Sequence, residues 1–330
     1  MLRVLPVLPV LLFLFLATWA PLAQAQSAEH GTGSAHPRKL PTGVILVPGA
    51  RSSASDTTTP VPEGGRVSAG RYTNAYFRLS YVLPPGWTQA YDGPPPSESG
   101  HYVLAQITPA ETGARSPGGS ILITAQDLFF SLTPAANALE LLSDAKNRLQ
   151  AGLEIEQPLA LVGVAGHSFA RFGYFSPVAQ LHWVVFATQV RCHVIEVTFT
   201  GRDGALIESF VHALDGLKLP AEAGIAGGSG GNEAPVCIKD YAQGQSVIAR
   251  LDPVFTERRF NPIPVRFVID RTGKVRHVHL LSAFPEQARS ITEALRQWRF
   301  SPYVRAGKPL EVETGMMFGF TPRTPPARAQ

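Results

Sequence analysis

The chain has 330 residues, 45% hydrophobic and 16% charged, with 30 Gly, 29 Pro and a formal net charge of +4. That length supports two ordinary domains with a core each, and the wealth of turn residues favours short strands joined by loops. The mild positive charge forms no single basic block, which argues against nucleic acid as a partner.

The amino terminus sets the expected compartment. Arg3 precedes an apolar run over residues 4–20, and Ala23-Gln24-Ala25 supplies the small-x-small pattern of a signal peptidase site, so residues 1–25 read as a signal peptide and the mature protein as periplasmic or secreted. The alternative is an inner-membrane anchor, because the run approaches the ~20 residues that span a bilayer. Pro6, Pro9 and Pro21 weigh against it.

Residues 26–69 are rich in Ser, Thr, Pro and Gly and read as a disordered tether, in which only GVILVP at 43–48 is apolar enough to pair. A second Gly/Ser-rich stretch, residues 221–235, reads as a linker. The boundaries that follow are a first domain over 70–220, a second over 236–321 and a disordered tail over 322–330. Gly227, Ser229 and Gly231 satisfy G-x-S-x-G, but a nucleophile elbow needs a strand before it and a helix after it, and both flanks are linker.

In the first domain YTNAYFRLSYVLPPGW, residues 72–87, alternates and then stops at Pro84-Pro85-Gly86. Further strands are expected over 101–108, 120–128, 168–175, 181–188 and 192–200. Leu139, Leu142, Ala145 and Leu149 mark one amphipathic helix, and Ile207, Phe210, Val211, Leu214 and Leu217 mark another. The order predicts an α+β unit, an antiparallel sheet with helices on one face. The opening Tyr-Asn strand, the Pro-Gly-Trp turn and the closing helix resemble PsbP-like domains, which are α-β-α sandwiches that serve as accessory or binding modules. That resemblance transfers no catalytic residue.

The second domain predicts a β-β-α-β unit. Val265, Phe267 and Ile269 share a strand face, Asp270-Arg271-Thr272-Gly273 turns the chain, and Val278 and Leu280 return. Ala288, Ile291, Leu295 and Trp298 form the stripe of a helix, which Pro302 is expected to stop, and Val312, Thr314, Met316, Phe318 and Phe320 line one face of a last strand. Ala294, Trp298, Phe300, Pro302, Gly307, Pro309 and Leu310 match the A-x-x-x-W-x-F/Y-x-P … G-x-P-V/L signature of the TonB-family C-terminal domain, Gly273 closes the strand-D-x-x-G-strand turn ahead of it, and the chain resembles that family over about 236–321. RLDPVFTERRFNPIP stands where the family usually carries a proline-tyrosine-proline lead-in.

The resemblance implies a non-enzymatic protein that captures a partner's extended segment by strand addition, the partner being a cell-envelope protein such as an outer-membrane transporter segment. The expected contact set is the last-strand edge: Glu311, Val312, Glu313, Thr314, Gly315, Met317 and Gly319. A cleavable leader and a globular domain in place of a long proline-rich spacer point to a TonB-like binding module rather than a full energy transducer.

No cofactor or metal set is expected: His277 and His279 fall on one strand face without a third ligand, and no catalytic constellation assembles from spacing. Membrane contact is expected only through a partner or an uncleaved amino terminus. Cys192, read as part of a strand, and Cys237 are either a disulfide that pins the domains together or two free thiols. The second functional reading is an exported ligand-binding or hydrolytic protein with its site in the first domain. Buried polar groups in a first-domain cavity would favour that reading, and an unpaired last strand would favour capture.

Overall fold

Hydrophobic alternation and paired turns produce two main sheets, of seven and five strands, which fall in the expected first and second domains. A computed structural model of the chain describes residues 51–55, 62, 64–90, 100–110, 118–129, 135–221, 233–254 and 262–319. The expected signal peptide, GVILVP, most of the 221–235 linker, Phe320 and the 322–330 tail lie outside the described residues. Those described fall within one contact unit spanning residues 37–330.

In chain order the strands begin with β1 (Arg51–Ser55), β2 (Arg66–Ser68), β3 (Arg71–Asn74), β4 (Leu79–Val82), β5 (Trp87–Gln89), β6 (His101–Pro109) and β7 (Gly119–Asp127). Helix α1 (Ala138–Asn147) precedes β8 (Glu154–Val164), β9 (His167–Ser176), β10 (Leu181–Val190), β11 (His193–Gly201) and α2 (Gly204–Ala213). The second domain contains β12 (Val236–Cys237), β13 (Val247–Ala249), β14 (Ile263–Ile269), β15 (Val275–Ala283), α3 (Pro285–Gln297), β16 (Arg299–Phe300), β17 (Tyr303–Arg305), β18 (Lys308–Leu310) and β19 (Val312–Phe318).

The first domain is a seven-stranded antiparallel sheet in the order β5-β6-β7-β11-β10-β9-β8, with β2, β3 and β4 forming a small sheet beside it. Alternation along β10 divides its cores. Val184 and Phe186 join Ile207 and Phe210 of α2, whereas Val185 and Ala187 join Leu142 of α1. The two helices therefore cover opposite faces, and the expectation of helices on one face is corrected.

Three local readings also change. The 72–87 stretch breaks into β3, β4 and β5, because Asn74 Oδ1 accepts the Phe77 N–H and turns the chain over 75–78. Leu139 is exposed, and α1 buries Leu141 and Leu142. β1 and β2 arise within the supposed tether, with β1 pairing antiparallel to β15.

The second domain's five-stranded sheet has the order β1-β15-β14-β19-β12. Val265, Phe267 and Ile269 pack with Ile291, Leu295, Trp298 and Phe318. Gly273 has φ +81°, and a Cβ there would collide with the Phe300 carbonyl, so the hairpin turn and the helix exit require glycine at this contact. Phe300 N–H donates to Gly273 O at 2.9 Å.

α3 stops at Gln297, ahead of Pro302. Trp298 is already extended at φ −65°, ψ 151°, its indole N–H donates to Leu251 O at 2.7 Å, and β16 pairs with β13. Docking of Trp298 and Phe300, rather than the proline, ends the helix. Ala306 and Gly307 then make the turn between β17 and β18, with Gly307 at φ +74°.

Candidate functional site

The face of the second sheet opposite α3 is covered by the first domain. Residues on that face look solvent-directed in sequence, yet Arg266, His279 and Glu313 are at most 1% exposed. They meet Tyr76, Asp127 and His193, which are also buried, and the turn residues Arg191 and Cys192.

Glu313 is the hub. Its Oε2 accepts from Arg191 Nε at 3.0 Å and from the Cys192 N–H at 3.0 Å, while its Oε1 accepts from the Tyr76 hydroxyl at 2.8 Å. The Tyr76 hydroxyl accepts in turn from Arg266 at 3.0 Å, and Arg266 pairs with Asp127. Arg191 lies over the Tyr76 ring, 3.9 Å from its centroid, and donates to the Tyr76 carbonyl at 2.9 Å. Two arginines and two carboxylates balance the charge across the junction, the condition under which buried charges are tolerated.

Electrostatics follow that geometry. Burial would raise the Glu313 carboxyl, but Arg191 and Arg266 outweigh it and hold it at about 2. Burial drives His193 down to about 3, and burial followed by Arg266 lowers His279 well below 6.5. Tyr76 is pushed up to about 12, chiefly by burial.

All three acid-side shifts are depressions. The unfolded chain binds protons that the folded chain refuses, so stability falls as pH drops from about 6.5 toward 3 for His193 and from about 4.5 toward 2 for Glu313. Chemical denaturation at pH 7, 5 and 4 should give a falling midpoint. His193→Phe, which keeps the edge contacts with Tyr76 and Phe77, should flatten the fall; an unchanged slope would place the titration elsewhere.

Cys192 and Cys237 form a disulfide, with Cα atoms 5.0 Å apart. Cys192 does not lie on a strand as expected. It sits with Arg191, at φ +59°, in the two-residue turn between β10 and β11, which presents its sulfur to β12. Closing a loop across 45 positions contributes about 4 kcal/mol in the chain-entropy model. Thiol titration of unreduced, denatured protein should find no free thiol, and two would contradict the bond.

The last strand is only partly an edge. β12 pairs parallel with its start, Val236 opposite Val312 and Cys237 opposite Glu313, and the Val236 and Ile238 N–H groups donate to the Glu311 and Glu313 carbonyls at 2.8 and 3.0 Å. Val312, Glu313 and Thr314 are fully buried, with Thr314 Oγ1 donating to Lys239 O. Glu311, Val312, Glu313 and Thr314 are therefore removed from the expected contact set: the first two lie where β12 already occupies the edge, the Glu313 side chain belongs to the junction, and Thr314 is bonded to the chain's own loop.

Beyond Thr314, no strand among the described residues pairs with that side of β19. Backbone alternation turns the N–H and C=O groups of Gly315 and Met317 to the side away from β14, as it turns those of Glu313 toward β12, although Gly315 is buried. Met317 is 46% exposed, and Gly319 continues the line.

The histidines expected on one face separate. A register shift in the β14–β15 pairing, with His277 at φ +51°, leaves His277 exposed and turns His279 into the junction. Among the described residues no group of three or more His, Cys, Asp or Glu could hold a metal, and no helix is long and apolar enough to cross a membrane. Two clefts, of about 280 and 250 Å³, lie beside the junction, the first against Cys237 and Arg305, the second against Arg78 and Glu311, with Arg191 lining both.

Neither a protein-family model nor a curated protein matches the chain. Among solved structures, the solution structure of cyanobacterial PsbP (CyanoP) from Synechocystis sp. PCC 6803 is similar at 13% identity and a TM-score of 0.32, over 57% of this chain and 98% of that chain. A likeness at that score carries no argument about what the chain does.

Proposed function

We propose that the chain is an exported, non-enzymatic binding protein of TonB-like type that captures an extended partner segment along the carboxy-terminal half of β19. The observation that carries this reading is the exposed Met317, whose outward backbone, in line with that of the buried Gly315, has no strand partner among the described residues. Gly319 extends the same line. The family reading draws support from the use that all the signature residues but the exposed Pro302 find: Ala294, Trp298, Phe300 and Leu310 in the core, Gly273 against Phe300, Gly307 and Pro309 in the β17–β18 hairpin. The reading of a ligand site in the first domain gains less, because the buried charge lies at the domain junction and is matched within it.

Backbone pairing alone is weak. Each edge hydrogen bond is worth about 1 kcal/mol net, and fixing each residue of the incoming segment costs about 1–2 kcal/mol. Affinity must come from alternate apolar side chains of the segment, which meet Met317 at the rim.

The test is selection of linear heptapeptides displayed on phage against the oxidised full chain. Enriched peptides should alternate apolar and polar residues and lose at least tenfold affinity for Met317→Pro, which removes an outward amide at an edge position that tolerates proline. Val178→Ala, at a turn residue 95% exposed, should bind as the parent does. Peptides indifferent to Met317→Pro would sink the proposal.

A further inference from the structure

β12 covers the start of the β19 edge with only two residues, a short parallel ladder whose ends are the Val236 and Ile238 N–H donations to the Glu311 and Glu313 carbonyls. A ladder two residues long barely offsets the entropy of ordering the segment that forms it. The disulfide tips this balance by fastening Cys237 to the β10–β11 turn. We propose that Cys192–Cys237 is a redox latch on the capture edge: its reduction releases β12 and lengthens the unpaired edge from residues 315–318 to the whole of 312–318. The consequence for binding rests on the capture reading above, whereas the release of β12 does not.

The two sulfurs are not equally open to attack. Cys192 is fully buried, while Cys237 is half-buried and lines the larger cleft. The reductant is a dithiol. Its thiolate attacks Cys237 Sγ, a bond forms between the two, the Cys192–Cys237 bond breaks, and the electron pair leaves on Cys192 Sγ, which takes a proton. The second thiol of the reductant then attacks its own sulfur in the mixed disulfide, closing a ring and leaving Cys237 as a thiol. Two electrons pass, one dithiol is oxidised, and two protein thiols result.

The junction does not depend on this bond for its charge balance. Arg191, Tyr76 and Arg266 hold the Glu313 side chain, and Arg266 holds Asp127, through contacts that involve neither sulfur. Reduction is therefore expected to free β12 while the two domains stay together. Released, β12 exposes the outward groups of Glu311 and Glu313 to an incoming strand.

Hydrogen exchange of the full chain, oxidised and after dithiothreitol, with no partner present, tests the latch. The Val236 and Ile238 amides should exchange at least tenfold faster on reduction, while Phe267 and Leu295 keep their protection, and Cys237→Ser should reproduce this pattern without reductant. Unchanged exchange at Val236 and Ile238 would overturn the latch. So would loss of protection across both domains, which would make the bond a plain structural staple, or resistance of the native bond to the dithiol. Because no peptide is present, β12 can be shown to move even if the heptapeptide selection fails, and the two proposals stand or fall separately.

Discussion

Glu313→Ala is expected to lower the stability of the full chain by about 3–5 kcal/mol, the cost of breaking a buried ion pair by removing one partner. The carboxylate accepts from Arg191, Tyr76 and the Cys192 amide, and it is 0% exposed. Deleting it leaves Arg191 and Arg266 facing each other across a buried junction with only Asp127 to balance them. Glu313→Gln keeps the shape and loses the charge, so it should be destabilising but milder. Adding Arg266→Met to Glu313→Gln would strand Asp127 instead, and should not rescue. Urea denaturation followed by tryptophan fluorescence reads all three, and a shift under about 1 kcal/mol for Glu313→Ala would mean that water reaches the junction.

Trp298→Ala is the second large effect, at about 3–5 kcal/mol for deletion of a buried tryptophan. Trp298 is fully buried, meets the rings of Phe300 and Phe318, and ties the 250s segment down through the indole N–H to Leu251 O. It also supports the helix exit on which the Gly273 contact depends. Trp298→Phe should recover much of the packing but not the hydrogen bond to Leu251. A loss below about 1 kcal/mol for the alanine variant would mark Trp298 as a surface group.

What could be read from sequence was set by local periodicity. β6, β7, β9, β10 and α2 carry clear two- or 3.6-residue patterns, and Gly273 and Gly307 stand where positive φ is required. β8 escaped because Pro158 and two register shifts break its alternation. The opposite placement of α1 and α2 escaped because the faces of β10 are apolar on both sides, so the sequence alone does not assign a helix to either.

The junction was illegible for a different reason. Arg266 and Glu313 look like solvated residues, and their burial depends on Tyr76, Asp127 and Arg191, which are distant in sequence. A faint signal existed in the company they keep, since Val268 and Gly315 share their sheet face and neither is a natural solvent residue. For the cysteines, spacing left paired and free forms open; the turn that places Cys192 beside β12 is a tertiary outcome.

Hydrogen exchange of the oxidised chain with a selected heptapeptide bound tests strand capture most directly. Capture predicts that the Gly315 and Met317 amides slow at least tenfold while the strands of the first domain are unchanged. Protection that appears in the first domain, with Gly315 and Met317 unaffected, would contradict it.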